Sequence, residues 1–357
     1  MSGTWGSNIK FSIFGESHGK AVGITIDGLK PGIEVDLDYI RREMDRRAPG
    51  KSPLSTQRQE ADSFEILSGL FKGKTTGTPL CAIIRNSGQH SKDYEKTKSL
   101  MRPSHADYTG SVKYMCFNDY RGGGHFSGRL TAPLVFAGAV CRQVLEEMGI
   151  VIGSHVRSIG GIEDRGLSLT DIDQDKLHAL RAETFPVLDA EAGEAMQKAI
   201  LDAKAEQDSV GGVIETAVIN LPAGIGDPFF DSLESTLAHL LFSVPGIKGL
   251  EFGAGFDIAS MRGSEANDEY YVEDGRVRTY SNNNGGILGG ITNGMPLVFR
   301  VAVKPTPSIG RPQRTINTEN MENEAIEIAG RHDPCIVTRA VAVVEAVTAM
   351  ALLDNIE

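Results

Sequence analysis

The sequence predicts an α+β fold of sheet and helix layers, and three observations lead there. Strand-like segments recur at 21–29, 150–160, 212–221 and 296–303, with apolar side chains at alternate positions in AVGITIDGL, GVIETAVINL and PLVFRVAV. Helix-period segments lie between and after them, from Asp36 to Pro49, over 130–149 and over 231–243. No strand runs into a GxGxxG or GxxxxGK[ST] turn, so the order of elements favours α+β layers over a doubly wound nucleotide-binding sheet.

Taken in order, Val22, Ile24 and Ile26 mark a half-buried strand. Asp36 starts a helix with Leu37, Ile40 and Met44 on one face and Arg41 on the other, and Pro49-Gly50 ends it. TTGTPLCAIIR (75–85) reads as a strand leaving a turn, and 130–149 as a helix closed by Gly149 before a strand at 150–160. From Leu169 to Asp208 the composition turns to Ala, Glu, Lys and Leu, which predicts two helices parted near Pro186. The run TRAVAVVEAVTAMALLDNI near the end is interrupted by Arg339 and Glu345 and is short for a bilayer, so it reads as a buried helix. With no repeat, no low-complexity stretch and no Pro- or Ser-rich linker, residues 1–357 are expected to form one domain.

The formal charge of −11 argues against a nucleic-acid binder working through a global positive field, and it makes local arginine clusters more telling. Cys81, Cys116, Cys141 and Cys335 show no short-range pairing, which favours a reducing compartment. MSGTWGSNIK has no apolar signal core, so the expectation is a cytoplasmic protein without a membrane partner. No HExxH or His-x-His spacing supports a metal cage.

The chemistry concentrates in stretches where titratable side chains stand among glycines or prolines: FGESHG (14–19), RPSHADYTG (102–110), RGGGHFSGR (121–129) and GRHDPC (330–335). Glycine lets backbone approach a ligand or take positive φ, and histidine titrates near neutral pH. His18 is thus a candidate proton donor with Ser17 beside it. Arg121, Ser127 and Arg129 surround an arc suited to an anion. Arg102 and Asp107 read alternatively as a surface ion pair of little worth, and Asp333 as an N-cap with Pro334 at the first helical position. DRRAPGKS (45–52), KPTPSIGRPQRT (304–315) and NNNGGILGG (282–290) add cations, hydroxyls and a glycine loop, although an arginine at a helix end such as Arg46 is ordinarily solvated. A set of Arg and Lys clusters in an acidic protein points to a substrate with several negative charges. Two other classes stay open at this point: a flavin reductase or electron carrier, and a non-catalytic anion-binding module.

FGESHG, DRRAPG, TTGTP, RPSHADYT, YRGGG, NNNGGILGG, KPTPSI and GRHDPC, in this order from about residue 3 to residue 354, resemble the chorismate synthase family. The resemblance implies a β-α-β sandwich, usually a homotetramer. It also implies conversion of 5-enolpyruvylshikimate 3-phosphate to chorismate with reduced FMN although no net redox change occurs, NADPH being a candidate reductant. By motif, His18 would protonate the departing phosphate, His105 would manage protonation at the flavin N1 edge, and Asp333 would assist at flavin N5. The flavin set carried over is His125, Phe126, Ser127, Val244, Pro245, Gly289, Lys304, Pro305, Thr306, Pro307, Ser308 and Arg331. Ser17, Arg41, Arg47, Arg102, Ser127, Arg129 and Arg331 resemble the substrate clamp, and Arg47 also an NADPH contact. This chain departs from many bacterial relatives in carrying His125-Phe126 for Arg-Ser, Pro53 for Arg, and Val244-Pro245 for a polar pair.

Overall fold

The computed structural model of the chain describes residues 3–50, 54–55, 62–86, 98–328 and 332–356. Two antiparallel five-stranded sheets dominate. The first comprises β1 (Thr4–Trp5), β2 (Lys10–Gly15), β3 (Ala21–Asp27), β4 (Phe64–Ser68) and β5 (Leu80–Arg85), in the order β1-β2-β3-β5-β4. The second comprises β6 (Val151–Ile159), β7 (Ile162–Glu163), β8 (Gly212–Ile219), β9 (Ile247–Phe252) and β10 (Leu297–Val303), in the order β9-β10-β8-β6-β7. Every ladder is antiparallel, as segregated α+β layers require.

Among the described residues the α-helices longer than one turn are α1 (Leu37–Arg47), α2 (Asp107–Lys113), α3 (Thr131–Glu147), α4 (Gln174–Ala182), α5 (Ala190–Ala205), α6 (Leu233–Ser243) and α7 (Val337–Ile356). Asp36 caps α1, its carboxylate accepting from the Asp38 and Tyr39 amides. Helix α3 packs on β3 and β5 of the first sheet and along α7, and α7 packs on β6 and β8 of the second. One buried cluster accordingly runs from Ile24, Ile26 and Ile84 through Phe136, Val140, Val344 and Val347 to Val156, Ile214 and Val301. The outer face of the second sheet is covered as well, where Val151, Ala217 and Val298 meet Leu177 and Leu180 of α4. That double cover is why β8 is buried along most of its length, beyond what its alternating sequence implies.

Helices α3 and α7 touch at Gly138, where an added Cβ would stand 2.3 Å from the Cα and Cβ of Ala346. Gly138→Ala gains about 1 kcal/mol of helix propensity and meets an overpacking cost of roughly 1–3 kcal/mol. We expect net destabilisation, read as a lower urea midpoint at unchanged slope.

Charged groups are buried at the same helix contact. The Glu345 carboxylate accepts from Arg46 at 2.5 Å and Arg142 at 3.0 Å, and Glu43 accepts from Arg46 and Arg181 at 2.7 Å each. Arg46 is therefore half-buried in an ion-pair network, contrary to the solvated helix end expected, because α7 brings Glu345 to it. Burial pushes the Glu345 carboxyl up, but the Arg46 and Arg142 guanidiniums override it and hold it at about 2, below its ordinary 4.5. A carboxyl with a depressed folded pKa stabilises the fold above its unfolded value and loses that contribution as pH falls through the folded one. The stability gap between wild type and Glu345→Gln should therefore narrow as pH drops from about 4.5 to about 2, which urea titrations across that window measure.

Candidate active site

The turn after β2 carries Ser17 and His18. It is docked onto the glycine arc 121–126 by backbone and side-chain bonds: the Ser17 amide donates to Gly124 O at 3.1 Å, and Ser17 Oγ donates to Arg121 O at 3.2 Å and Gly122 O at 3.1 Å. His125 Nδ1 donates to Gly15 O at 2.8 Å. Three consecutive positive φ angles, +59° at Gly122, +87° at Gly123 and +54° at Gly124, explain why the arc is written in glycine.

The arc lies against both candidate histidines. A Cβ on Gly122 would stand 2.4 Å from His18 Cδ2 and 2.6 Å from its Nε2, and one on Gly123 would stand 3.0 Å from His105 Cε1 and 3.2 Å from its Nε2. Successive Cα atoms are about 3.8 Å apart, so the two imidazoles lie within about 13 Å of one another.

His105 sits in a turn whose preceding residue, Ser104, has φ +57°. Its Nδ1 is 2.7 Å from Asp107 Oδ1, and Asp107 takes a forked pair of bonds from Arg102 Nε and Nη2, each 2.7 Å. Burial raises the Asp107 carboxyl, but hydrogen bonds from His105 and Arg102 outweigh it and hold the group well below the usual carboxylate range. Both members of the Arg102–Asp107 pair are largely buried, at 15% and 16% side-chain exposure, so this is not the weak surface bridge weighed from the sequence.

Two further paths reach the same region. Lys304 Nζ donates to Ser104 O at 2.6 Å and its amide to Gly246 O at 2.9 Å, which places the 304–308 loop against the histidine turn and beside Val244 and Pro245. Burial and the neighbouring Lys248 ammonium lower the Lys304 pKa. Ser209 Oγ donates to Thr306 O at 2.7 Å, and Val210 N donates to Pro334 O at 2.8 Å, which brings the Asp333 segment alongside.

From the other side, Asp333 accepts from Arg339 Nη1 at 2.6 Å, and Arg339 Nε donates to Arg47 O at 2.9 Å. The Arg47 guanidinium is 2.9 Å from Asp62, whose other oxygen pairs with Arg129. Arg129 donates to Asn86 Oδ1 at 3.1 Å, and Asn86 Nδ2 donates back to Glu16 O and Gly19 O around His18. Asp333 is thus joined by a chain of polar contacts to the turn that carries His18. Helix α7 starts three residues beyond Pro334, so Asp333 is not at its N-cap position, and its carboxylate accepts from Arg339.

Other predicted residues fall elsewhere. Arg41 lies on the solvent face of α1, paired with Asp38 and 6.0 Å over the Phe64 ring. Phe126 packs on α2, where an added Cβ at Gly110 would meet its ring at 2.6 Å. Ser127 Oγ accepts from Arg129 N at 3.3 Å and so helps seat that arginine. Gly289 is at the tip of the 287–292 hairpin, and Gly290 O accepts from Leu233 N at 3.0 Å at the start of α6. Val244 and Pro245 follow the other end of α6, about 16 Å along its axis. Pro305, Pro307 and Ser308 lie in the 304–308 loop, outside regular structure. Arg331, assigned to both flavin and substrate, and Pro53 lie outside the described residues.

Sequence reasoning missed Asp62, Asn86 and Arg339, which link the motifs. Arg339 left a signal as a charge interrupting an apolar run; Asp62 and Asn86 left none, since their meaning comes from strands distant in sequence. Among the described residues no group of three or more His, Cys, Asp or Glu could hold a metal ion, and no helix is long and apolar enough to cross a membrane.

Imidazoles set against one glycine arc, with cations arriving from several segments, are the groups a proton-moving enzyme places around an anionic ligand. The comparisons make this specific: residues 9–356 match the family model described as chorismate synthase, and the chain belongs to that family. It is 47% identical to the chorismate synthase of Dehalococcoides mccartyi strain BAV1 over 99% of this chain and 96% of that one. It is 48% identical to that of Thermococcus gammatolerans over 98% and 96%. A solved structure titled as a crystal structure of chorismate synthase superposes with a TM-score of 0.77 at 32% identity, covering 98% of this chain and 92% of the other.

Proposed function

We propose that the protein eliminates phosphate from 5-enolpyruvylshikimate 3-phosphate to give chorismate, an anti 1,4-elimination in which phosphate leaves C3 and hydrogen leaves C6, with reduced FMN as cofactor. The observation that carries this reading is the seating of Gly122 against His18 and of Gly123 against His105. Such an arc lets a ligand meet backbone amides and both imidazoles at once.

The residues fit a flavin in two respects. Buried Thr306 Oγ1 has no hydrogen-bond partner among the described residues, and burial and the neighbouring Lys248 ammonium lower the pKa of Lys304, a crowding of positive charge that a bound anion would offset. Thr306, Lys304 and the rest of the 304–308 loop would hold the cofactor with His125, Phe126, Ser127, Val244 and Pro245; Gly289, at the far end of α6, and Arg331 complete the set carried over by motif. When bound, the reduced flavin supplies electron density to the allylic system as phosphate departs and recovers it as hydrogen is lost. His18 protonates the leaving phosphate, with Ser17 fixing its turn to the arc. His105 would handle a proton at the edge of the bound flavin, and Asp333, oriented by Arg339, would assist at its N5. Arg102, Arg129 and Arg331 would supply positive charge for the phosphate and two carboxylates, and Arg41, on the solvent face of α1, belongs to this set by motif alone. Arg47 is only 2% exposed and paired with Asp62, so a contact to NADPH or to substrate requires that pair to open.

As to assembly, we read the chain as one domain, its helices α3 and α7 between two sheets as in a β-α-β sandwich, and as a cytoplasmic homotetramer.

Anaerobic mixing of the protein with substrate and dithionite-reduced FMN tests the activity: chorismate absorbance and released phosphate should rise together. Absence of both excludes the reading, and NADPH oxidation without phosphate release would instead indicate a flavin reductase. Turnover in air with NADPH as sole reductant separates self-supplied from externally supplied flavin reduction.

A further inference from the structure

We propose that Asp107 is the positioning residue that sets the tautomer of His105, keeping the proton on Nδ1 so that Nε2 faces the glycine arc as a bare acceptor. This rests on the reading of His105 as a proton-handling group.

The shorter contact favours one arrangement of the neutral ring. Asp107 Oδ1 is 2.7 Å from His105 Nδ1, and an ionised carboxylate only accepts. Without a proton on Nδ1, two lone pairs would face each other at that distance. Arg102 Nη2 also approaches Nδ1, at 3.2 Å, and would donate to it in the other tautomer, but that contact is longer than the 2.7 Å approach of the carboxylate. The carboxylate itself cannot turn away. Arg102 holds Oδ2 through Nε and Oδ1 through Nη2, and the Arg102 amide donates to Oδ2 at 3.1 Å.

The turn is fixed from behind as well, since Lys304 Nζ donates to the carbonyl of Ser104. One edge of the ring is therefore committed to Asp107. The opposite edge, Cε1 and Nε2, is the one that an added Cβ on Gly123 would touch. The role this gives Arg102 is to hold Asp107 through two bonds, in addition to any charge it offers a substrate.

An Asp107→Asn substitution should invert the ring. The single amide oxygen belongs at the Oδ2 position, where the Arg102 amide and Nε both donate. The NH2 then faces Nδ1 as a donor, so the neutral imidazole must carry its proton on Nε2.

Long-range 1H–15N correlation spectra of the full-length protein labelled in histidine, at pH 8, read this directly, with the His105 signals assigned through His105→Gln. The expected spectra show His105 as Nδ1–H in wild type and in Asp107→Glu, and as Nε2–H in Asp107→Asn. In parallel, kcat of chorismate formation should fall about 10²- to 10⁴-fold in Asp107→Asn, with KM changed less than about 2-fold and part of the rate restored in Asp107→Glu. An Nε2–H signal in wild type overturns the proposal, whether or not the variants fold. So does an Asp107→Asn enzyme that keeps the Nδ1–H signal or the wild-type kcat. If wild type forms no chorismate, the functional reading fails, while the spectra still decide the role of Asp107.

Discussion

His18→Ala and His105→Ala are each expected to slow chorismate formation by about 10²- to 10⁴-fold, the range a positioned acid or base contributes, with the native circular dichroism retained. The structure explains why the fold should survive. Removing the His105 ring leaves Asp107 still forked to Arg102, so no buried carboxylate is abandoned. Removing the His18 ring vacates space against Gly122, while Ser17 keeps its own bonds to the arc. Turnover under anaerobic conditions with reduced FMN, measured beside thermal denaturation, checks both parts. Wild-type rates in either variant would remove that imidazole from the chemistry.

The second large effect concerns stability. Asp62 neutralises two guanidiniums, those of Arg47 and Arg129, and all three residues are buried. Breaking a buried pair by deleting one partner typically costs 3–5 kcal/mol, because an uncompensated charge is left in low dielectric. Asp62→Ala removes the carboxylate that both guanidiniums pair with and should lower unfolding free energy by about that amount. It should also loosen the turn around His18, since Arg129 orients Asn86, which in turn holds Glu16 O and Gly19 O. Urea titration gives the first quantity and kcat the second. A loss below about 1 kcal/mol would mean that the pair behaves like an exposed bridge.

Much of this architecture is legible in the residues because local pattern and tertiary setting agree. Asp36 before Leu37, Ile40 and Met44 specifies both the start and the buried face of α1, and the structure shows that cap and that face. Likewise the helices α4 and α5 fall on either side of Pro186, and three glycines in a row announce three left-handed residues. What stayed hidden depends on contacts between distant segments. Gln313–Asn317, read as part of a Pro-rich loop, is a strand only because Glu322–Ile326 pairs with it, and neither half has an apolar period. Arg46 is half-buried and paired because Glu345 arrives from a helix some three hundred positions later. The grouping of the motifs was visible as shared composition, but the links among them, Asp62, Asn86 and Arg339, became apparent only when the sheets brought them together.

The central claim is that the Gly122–Gly123 arc, with His18 on one side and His105 on the other, is where substrate and flavin meet. A crystal structure of the protein with oxidised FMN and 5-enolpyruvylshikimate 3-phosphate tests it most directly. The account predicts a substrate phosphate oxygen within hydrogen-bond distance of His18, about 3 Å, and the flavin ring edge against His105. Both ligands bound with neither imidazole in reach of them would contradict it.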